Sequence, residues 1–289
     1  MFGVTQYLSE TAPAKINLTL RVVGRRADGY HELESLVAFA GLADTLALQP
    51  GAGIGLDVAG PFAQASGATA DNLVLKAAAA LLAQAGDAAC GHFHLDKHIP
   101  VAAGIGGGSA DAAAALRLLA RTNDIALDDA RLTAAALATG ADVPVCLRAR
   151  ACVMAGIGER LSPPLDLPKL YAVMVNPGVA VATRDVFAAF SGARTDAPPL
   201  GDIPRGFEAL MEYLAGHGND LTAAAMACTP VIGDVLDALR ALPGVRLARM
   251  SGSGATCFAL FDTPEAAAVG LRHLRAGRQD WWAVATTLG

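Results

Sequence analysis

The sequence predicts an α+β fold with two domains. The chain has 289 residues, and at about 150 residues per domain this length makes two domains the expected number. The first half contains a strand, a glycine-rich loop and a helix in that order: apolar and polar residues alternate from Phe93 to Ile99, and an alanine-rich run follows the glycines. The second half is predicted to alternate strands with helices, with the strands at 171–176, 245–250, 256–261 and 281–286.

The domain boundary is predicted near residue 160. The segment from Cys152 to Gly158 leads out of the first domain, and prolines then punctuate a linker at 163–168. We therefore assign residues 1–160 to the first domain and residues 161–289 to the second. A further proline-rich loop is predicted from Ser191 to Gly201.

Composition and charge exclude several classes of protein. The net charge of −5 argues against a general nucleic-acid binder, which would carry a basic patch. The five cysteines are scattered and form no C-x-x-C pair, so we expect reduced thiols rather than disulfides or a zinc site. The apolar runs are shorter than the ~20 residues of a membrane span. The first ten residues lack the pattern of a signal peptide. We expect a cytoplasmic protein with no membrane partner.

The stretch from Pro100 to Asp111 is the centre of the functional prediction. It contains four glycines in five positions, 104 to 108, and a helix is predicted directly after it. Glycine lets the backbone approach a ligand closely, and a helix N-terminus offers unpaired N–H groups to an anion. Together these features predict a phosphate site, although a tight turn with close packing is an alternative. Ser109 either caps the helix or faces a metal or phosphate. No Walker motif occurs, and Ser109 replaces the third glycine of a dinucleotide fingerprint, so both of those sites are excluded.

A strand with one apolar and one polar face is predicted from Ala14 to Val23. Lys15 and Asn17 share the polar face, about 7 Å apart at about 3.3–3.4 Å per residue. On the pattern alone, a solvated sheet face is the simpler interpretation.

Three aspartates are predicted at helix boundaries or bends. Asp71 is the expected N-cap of a helix from 73 to 85 that stops at Gly86, and Asp128 that of a helix ending before Gly140. Asp142 lies between that stop and Pro144, which biases Val143 away from helix. We therefore expect Asp142 on a bend, where it either aims into a cleft or simply forms a turn.

Taken together, these motifs resemble those of the GHMP kinases. Residues 100–111 resemble the second motif of the family, Pro-Ala-Lys-Ile-Asn (13–17) its opening motif, Gly-Ala-Asp-Val-Pro (140–144) its aspartate segment and 250–256 its third motif. The resemblance implies a ribosomal protein S5 domain 2-like N-terminal domain that binds ATP and a ferredoxin-like C-terminal domain on the substrate side. The resemblance also implies that Lys15 and Asp142 are the catalytic residues. The implied ATP-binding residues are Asn72, Pro100, Val101, Ala102, Ala103, Gly104, Ile105, Gly106, Gly107, Gly108, Ser109 and Ala110. Asn72 could equally cap its helix.

The acceptor is indicated by the segment from Arg25 to Leu33. It contains a turn signal, Asp28-Gly29, followed by Tyr30 and His31. It resembles the branch of the family that acts on a cytidine diphosphate-linked methylerythritol, in which the tyrosine and histidine recognise the base. Homoserine, mevalonate and galactose kinases do not share it. The implied substrate-binding residues are Asn17, Tyr30, His31, Thr183, Phe187, Ser251, Gly252, Ser253 and Gly254. Thr183 is also predicted to cap a short helix, and Phe187 could instead pack in the core.

The resemblance implies transfer of the ATP γ-phosphoryl group to the 2-hydroxyl of the methylerythritol moiety, in the non-mevalonate route to isopentenyl diphosphate. Asp142 is then the general base, Lys15 lies beside it, and Mg²⁺ is expected to enter with ATP, without dedicated protein ligands. We expect a monomer or weak homodimer. Another GHMP kinase, of homoserine or mevalonate type, and a non-catalytic nucleotide-binding protein remain the alternatives. Some relatives have glycines where this chain has Ala102 and Ala103, for which we expect ordinary backbone dihedrals.

Overall fold

The computed structural model describes residues 7–27, 29–86, 88–191 and 199–289. Asp28 of the predicted turn and most of the predicted loop at 191–201 lie outside the described residues. The strands are β1 (Leu8–Asn17), β2 (Arg21–Arg25), β3 (His31–Gly51), β4 (Ile54–Ala59), β5 (Cys90–Asp96), β6 (Cys152–Gly156), β7 (Arg160–Leu161), β8 (Leu170–Asn176), β9 (Leu247–Met250), β10 (Cys257–Phe261) and β11 (Trp282–Leu288). The α-helices are α1 (Leu73–Ala85), α2 (Gly107–Thr122), α3 (Ala130–Thr139), α4 (Val143–Arg148), α5 (Thr183–Ala189), α6 (Phe207–Ala215), α7 (Thr222–Cys228), α8 (Val231–Arg240) and α9 (Pro264–Gly277).

The chain forms two compact units, and each is discontinuous in sequence. The first unit comprises the N-terminal residues up to Ala14, Leu42–Val101 and Gly106–Ala149. The second comprises Lys15–Gly41, Ala102–Ile105 and Arg150–Gly289. The long strand β3 and the glycine-rich loop therefore each contribute residues to both units. The family domains predicted at 1–160 and 161–289 stay a prediction.

Within its described residues, the first unit contains a sheet and four α-helices. In it β4 runs parallel to β5, and β5 runs antiparallel to the last part of β3. The predicted alternation in β5 is confirmed, since Phe93 and Leu95 are fully or almost fully buried while Asp96 is exposed. Helix α1 packs on α2 and α3, and α2 packs on α4. The alanine-rich α2 has ten buried residues, which lets its neighbours approach closely.

In the second unit, four antiparallel strands carry five helices. The strands lie in the order β11-β8-β10-β9 and are joined by helical segments as β8-α-β9-β10-α-β11. This arrangement is ferredoxin-like, as predicted for the C-terminal domain. The first part of β3 pairs with β2 and β6 and meets β11 at one residue pair, Ala40 with Leu288. The core includes Phe261, Leu236 and Leu239, which are at most 1% exposed.

Several element boundaries differ from the predictions. The strand predicted from Ala14 is β1, which begins at Leu8 and ends at Asn17. Val143 is the first residue of α4, although Pro144 was expected to keep it out of a helix, because proline is tolerated in the first helical turn. Helix α6 and strands β6 and β7 were not predicted.

Three predicted helix caps are displaced by one residue. Asn72 caps α1 in place of Asp71, Asp129 caps α3 in place of Asp128, and Ala182 is the N-cap of α5, so that Thr183 is its first residue. In the first two cases the side chain of the true cap accepts a hydrogen bond from the N–H group two residues on. Gly86 and Gly140 are confirmed as the stops of α1 and α3.

All five cysteines are free thiols in the structure. Among the described residues, no helix combines the length and the apolar character that crossing a bilayer requires.

Candidate active site

The last residues of β1 are buried rather than solvated. Lys15 is 4% exposed and Asn17 is 1% exposed, so the polar face predicted for this strand lies inside the protein. The backbone N–H of Lys15 donates to the Ile105 carbonyl at 2.9 Å, which ties the strand to the glycine-rich loop. The Asn17 amide donates to Ser35 Oγ at 2.7 Å, and its own Oδ1 is buried with no hydrogen-bond partner among the described residues. That oxygen can accept a hydrogen bond from a ligand.

The glycine-rich loop packs backbone against backbone on the turn between β9 and β10. A Cβ atom on Gly104 would lie 2.2 Å from the Gly254 carbonyl oxygen, and φ of Gly104 is 74°. Any other residue at position 104 would therefore clash and adopt an unfavourable conformation. Glycine is therefore needed at position 104 for close packing within the second unit, and its role in approach to a ligand stays a prediction.

One hydroxyl group joins three of the predicted motifs. Ser251 Oγ accepts a hydrogen bond from the Asn17 N–H at 3.1 Å and donates to the Gly104 carbonyl at 3.3 Å. A backbone bond from Thr256 N to the Ala103 carbonyl, 3.1 Å, runs beside it. Ser251 is fully buried, so its described role is to hold the opening, second and third motifs together. Its predicted contact with substrate remains a prediction.

Two side chains that the sequence analysis missed tie this turn and strand β9 to the rest of the second unit. The Asn219 amide group donates to the carbonyls of Met250 and Gly252, both at 2.8 Å. Arg249 donates to the Leu18 carbonyl at 2.6 Å and the Leu214 carbonyl at 2.7 Å, and burial lowers its pKa to about 10. Neither residue belongs to a motif, and their partners are backbone carbonyls distant in sequence, so no local pattern indicates them.

Helix α2 begins directly at the glycine-rich loop, with an uncapped N-terminus. Gly106 is its N-cap, in the left-handed conformation with φ 63°, and no side chain caps the helix. Ser109 was considered as a cap but lies within the first turn of the helix instead. The N–H groups of this turn, with the partial positive charge of the helix dipole, can therefore bind a phosphate group. Gly108 in this turn is exposed.

The backbone conformation of Ala102 contradicts the prediction that this residue has ordinary dihedral angles. Its φ is 51°, in the left-handed region that disfavours a side chain with a Cβ, while Ala103 does not have a positive φ. The tight path of the loop imposes this conformation, and it explains why glycine would suit position 102. Ala102 is exposed, whereas Ala103 is 3% exposed.

A buried lysine between two carboxylates lies under the start of α2. Lys97 Nζ donates to Asp111 Oδ2 at 2.7 Å and to Asp44, and Asp44 Oδ1 also accepts from the backbone N–H groups of His98 and Ile99. All three side chains are at most 4% exposed. A Cβ atom on Gly107 would lie 3.2 Å from Lys97 Nζ, so this ammonium group supports the first turn of the helix directly.

The charge of this triad depends on Asp111. Burial raises the pKa of Asp111 to about 7, the Lys97 ammonium opposes that rise, and the negative charge of Asp44 adds to it. With Asp111 protonated, the triad is a neutral Lys97–Asp44 pair, and with Asp111 ionised it carries a net negative charge. The sequence contains a signal for this cluster. Lys97 stands at an apolar position of the predicted alternation that includes Phe93, Leu95 and Ile99.

Asp142 lies on the turn before α4, as predicted, and belongs to the first unit. It is the N-cap residue of the helix with φ −87° and ψ −10°, it is partly buried, and its side chain does not cap the helix. Asn72, in the same unit, caps α1 through its side chain. The capping role is thus confirmed for Asn72, and its contact with nucleotide stays a prediction.

Predicted substrate residues come together in the second unit. The His31 ring stacks on Phe187 with centroids 5.0 Å apart and planes at 22°, and Phe190 meets it edge-on at 6.1 Å. Burial, with a smaller contribution from Arg25, lowers the pKa of His31, so the ring is neutral at pH 7 and offers one donor and one acceptor. Tyr30, which is 62% exposed, precedes it.

A second pair of these residues is joined through hydroxyl groups. Thr183 Oγ1 and Ser253 Oγ are hydrogen-bonded at 2.9 Å, which links α5 to the third motif.

Comparisons with known proteins identify the family of the chain. Residues 72–150 match the GHMP kinases N terminal domain, and residues 203–278 match the GHMP kinases C terminal domain. The 4-diphosphocytidyl-2-C-methyl-D-erythritol kinase of Rhodopseudomonas palustris (strain HaA2) is 57% identical over 295 residues, covering 98% of this chain and 99% of the relative. The chain belongs to the 4-diphosphocytidyl-2-C-methyl-D-erythritol kinase family of GHMP kinases.

Two solved structures share the fold of this GHMP kinase. A crystal structure of 4-(cytidine 5'-diphospho)-2C-methyl-D-erythritol kinase has a TM-score of 0.77 and 39% identity, covering 98% of this chain and 99% of the other. Homoserine kinase from Cytophaga hutchinsonii has a TM-score of 0.69 over 100% of this chain and 96% of its own, but only 18% identity, so it shares the fold alone. The predicted α+β GHMP kinase fold is confirmed, and a GHMP kinase uses ATP.

The strain of the left-handed backbone conformation at Ala102 of this GHMP kinase can be tested with a pair of alanine-to-glycine changes. We expect Ala102→Gly to raise the free energy of unfolding by about 0.5–1 kcal/mol, because glycine removes a penalty of about 1–2 kcal/mol that its greater backbone entropy partly offsets. Ala103→Gly, at a buried position without positive φ, should lower it by about 0.5–1 kcal/mol. Urea unfolding measures both, and equal destabilisation by the two changes would contradict the strain assigned to Ala102.

The triad of the GHMP kinase yields a test of pH dependence. The folded-state pKa of Asp111, about 7, lies above its ordinary value of 3.8, so the contribution of Asp111 to stability is fully present below about 3.8 and is lost as pH rises from there to about 7. We expect the free energy of unfolding to fall by up to ~1.4 kcal/mol per pH unit in this window, and Asp111→Asn to flatten that fall. Urea unfolding at several pH values measures this.

A second aspartate serves as the control for this experiment. Asp129 is partly exposed and its hydrogen bonds with Arg131 lower its pKa to about 2, so Asp129→Asn should shift stability without changing the slope between about pH 5 and 7. If the pH profile of Asp111→Asn runs parallel to that of the wild type, Asp111 does not titrate as described.

Proposed function

We propose that this chain transfers the γ-phosphoryl group of ATP to the 2-hydroxyl of 4-diphosphocytidyl-2-C-methyl-D-erythritol, giving the 2-phosphate and ADP, on the non-mevalonate route to isopentenyl diphosphate. The observation that carries the proposal is 52–57% identity, over nearly the whole chain, to kinases named for that acceptor. The presence of Tyr30 and His31 supports it, because the resemblance assigns recognition of the cytosine base to this pair.

Phosphoryl transfer depends on alignment and charge stabilisation more than on covalent catalysis. In the proposed reaction the acceptor oxygen attacks the γ-phosphorus, the bond to the β–γ bridging oxygen breaks, and ADP leaves with that electron pair. Asp142 accepts the proton of the acceptor hydroxyl as general base. Lys15 stabilises the negative charge on the transferred group, and Asn17 Oδ1, buried and without a described partner, orients the acceptor through a hydrogen bond.

The phosphates of ATP are held by the glycine-rich loop in this proposal. The uncapped N-terminus of α2 supplies N–H donors, and the Lys97 triad beneath it keeps the first turn in place. We expect Mg²⁺ to enter bound to ATP phosphates with several waters of its own. Ser109 Oγ is the side chain in this turn that could face the metal, whereas the Asp111 carboxylate is directed to Lys97.

Cytosine recognition is assigned to the aromatic group around His31. A neutral His31 has one donor and one acceptor, which suits the mixed donor and acceptor edge of a cytosine. Phe187 supplies a ring on which a base can stack. The predictions of a cytoplasmic location and of a monomer or weak homodimer stay predictions.

The test of the reaction is ADP release from Mg-ATP with a panel of acceptors. The panel contains cytidine-diphospho-methylerythritol, methylerythritol phosphate, homoserine, mevalonate and galactose. We expect turnover with the first acceptor alone. Turnover with a different one would overturn the acceptor while leaving a GHMP kinase, and failure with all of them despite ATP binding would favour a non-catalytic nucleotide-binding protein.

An inactive variant makes this result specific to the chain. Asp142→Asn keeps the size of the side chain but cannot accept the proton, so we expect loss of turnover with nearly unchanged folding and ATP binding. If Asp142→Asn turns over as fast as the wild type, Asp142 is not the base. If its acceptor profile is also the same as that of the wild type, the result points to a contaminating kinase.

The role of His31 is tested by His31→Ala. We expect KM for the cytidine substrate to rise by about 10-fold, at the upper end of the about 0.5–1.5 kcal/mol that a hydrogen bond contributes, with a smaller effect on KM for ATP. His273→Ala, at an exposed histidine of α9 in the same unit, is the matched control and should leave both values unchanged. An unchanged KM in His31→Ala would remove this residue from the substrate site.

A further inference from the structure

A group of metal-binding side chains lies on the first unit, on the edge strand β4 and its neighbour β5. The two strands are parallel, and their register pairs Gly55 with His92 and Asp57 with His94. Paired residues share a face, and residues two apart in one strand also share a face. Asp57, His92 and His94 therefore project from the same side of the sheet.

Their donor atoms are already close together. His92 Nε2 lies 2.9 Å from Asp57 Oδ2, and His94 Nδ1 lies 3.6 Å from the same oxygen. One donor atom from each of the three residues lies within 4.8 Å of the other two. Tetrahedral zinc with ligand bonds of 2.0–2.2 Å separates its ligands by about 3.3–3.6 Å. Small side-chain rotations would bring the three atoms to that spacing.

Neighbouring residues hold both imidazole rings. A Cβ atom on Gly55 would lie 2.2 Å from His92 Nδ1, so the ring of His92 rests on the glycine backbone with Nε2 directed to Asp57. The ring of Tyr7 meets His94 edge-on with centroids 5.7 Å apart, and its hydroxyl donates to Gln49 Oε1 at 3.3 Å. The carboxylate is 71% exposed and free to adjust.

A simple histidine–aspartate pair elsewhere in the first unit provides a comparison for the cluster on β4 and β5. His98 Nε2 lies 2.9 Å from Asp96 Oδ2, and both side chains are exposed to a similar extent, but this pair contains a single imidazole. The cluster on β4 and β5 instead converges two imidazoles on one carboxylate, which is a donor set suited to a divalent transition metal.

We propose that Asp57, His92 and His94 form a binding site for a divalent transition metal ion, with Zn²⁺ as the best-suited ion and water in the fourth position. The ion joins the edge strand β4 to β5 and so stabilises the folded first unit by binding to it. His94 Nε2 is buried without a hydrogen-bond partner among the described residues, so this imidazole lacks the outer acceptor that strengthens metal-binding histidines. We therefore expect weaker binding than at structural zinc sites.

Calorimetric titration of the metal-free protein with Zn²⁺, in the absence of nucleotide, tests the proposal. We expect one site per chain and a rise in Tm with added Zn²⁺. The double change His92→Ala and His94→Ala should weaken binding by at least ~10-fold, the range seen when even an outer partner of a metal ligand is lost, and should abolish the Tm rise. His98→Ala is the matched control and should leave both unchanged.

Co²⁺ provides a readout of the ligands themselves. We expect visible absorption bands of a four-coordinate ion in the wild type and their loss in the double variant, whose Tm without metal should match the wild type within a few degrees. Absence of Zn²⁺ binding in the wild type would overturn the proposal. Equal affinity in the double variant would also overturn it and would direct attention to other donors, such as the exposed Cys228.

Discussion

The contact on which the second unit depends is the close packing of the Gly104 backbone on the turn between β9 and β10. It permits the Ser251 hydroxyl to contact both Gly104 and the backbone of Asn17. Each such hydrogen bond contributes about 1 kcal/mol net, but leaving a buried partner unsatisfied costs about 1–3 kcal/mol. These bonds hold the end of β1, residues 102–105 of the glycine-rich loop and the third motif against one another within the second unit.

A buried cation performs the corresponding task in the first unit. Lys97 is held by two carboxylates, and Asp44 in turn binds the backbone N–H groups of residues 98 and 99. Burying charges is costly unless they are paired and hydrogen-bonded. The gain is a fixed support for the first turn of α2, whose N–H groups stay available for an anion. Stability and the proposed function meet here, because a helix end that is to bind phosphate cannot be closed by a side-chain cap.

Much of the fold was predictable because its signals are local. Alternation identified β5, and glycine stops identified the ends of α1 and α3. Errors arose where the tertiary structure overrides local preference. The residues 15 to 20 alternate in polarity and yet are all buried, since a polar side chain is accepted inside the protein when hydrogen bonds satisfy it. Ala102 adopts a positive φ next to the buried Ala103, a conformation that no local preference of alanine predicts.

The sequence by itself determined the family, and it indicated the candidate phosphate loop, the candidate catalytic pair Lys15 and Asp142, and the Tyr30–His31 segment. These features are short motifs, and the chemistry they support requires particular residue types at fixed spacing. Only the tertiary structure decided the roles of Ser251, Asn219, Arg249 and the Lys97 triad. Their partners are backbone groups and carboxylates up to 234 residues away in the chain, so burial and hydrogen bonding, rather than local pattern, assign what they do.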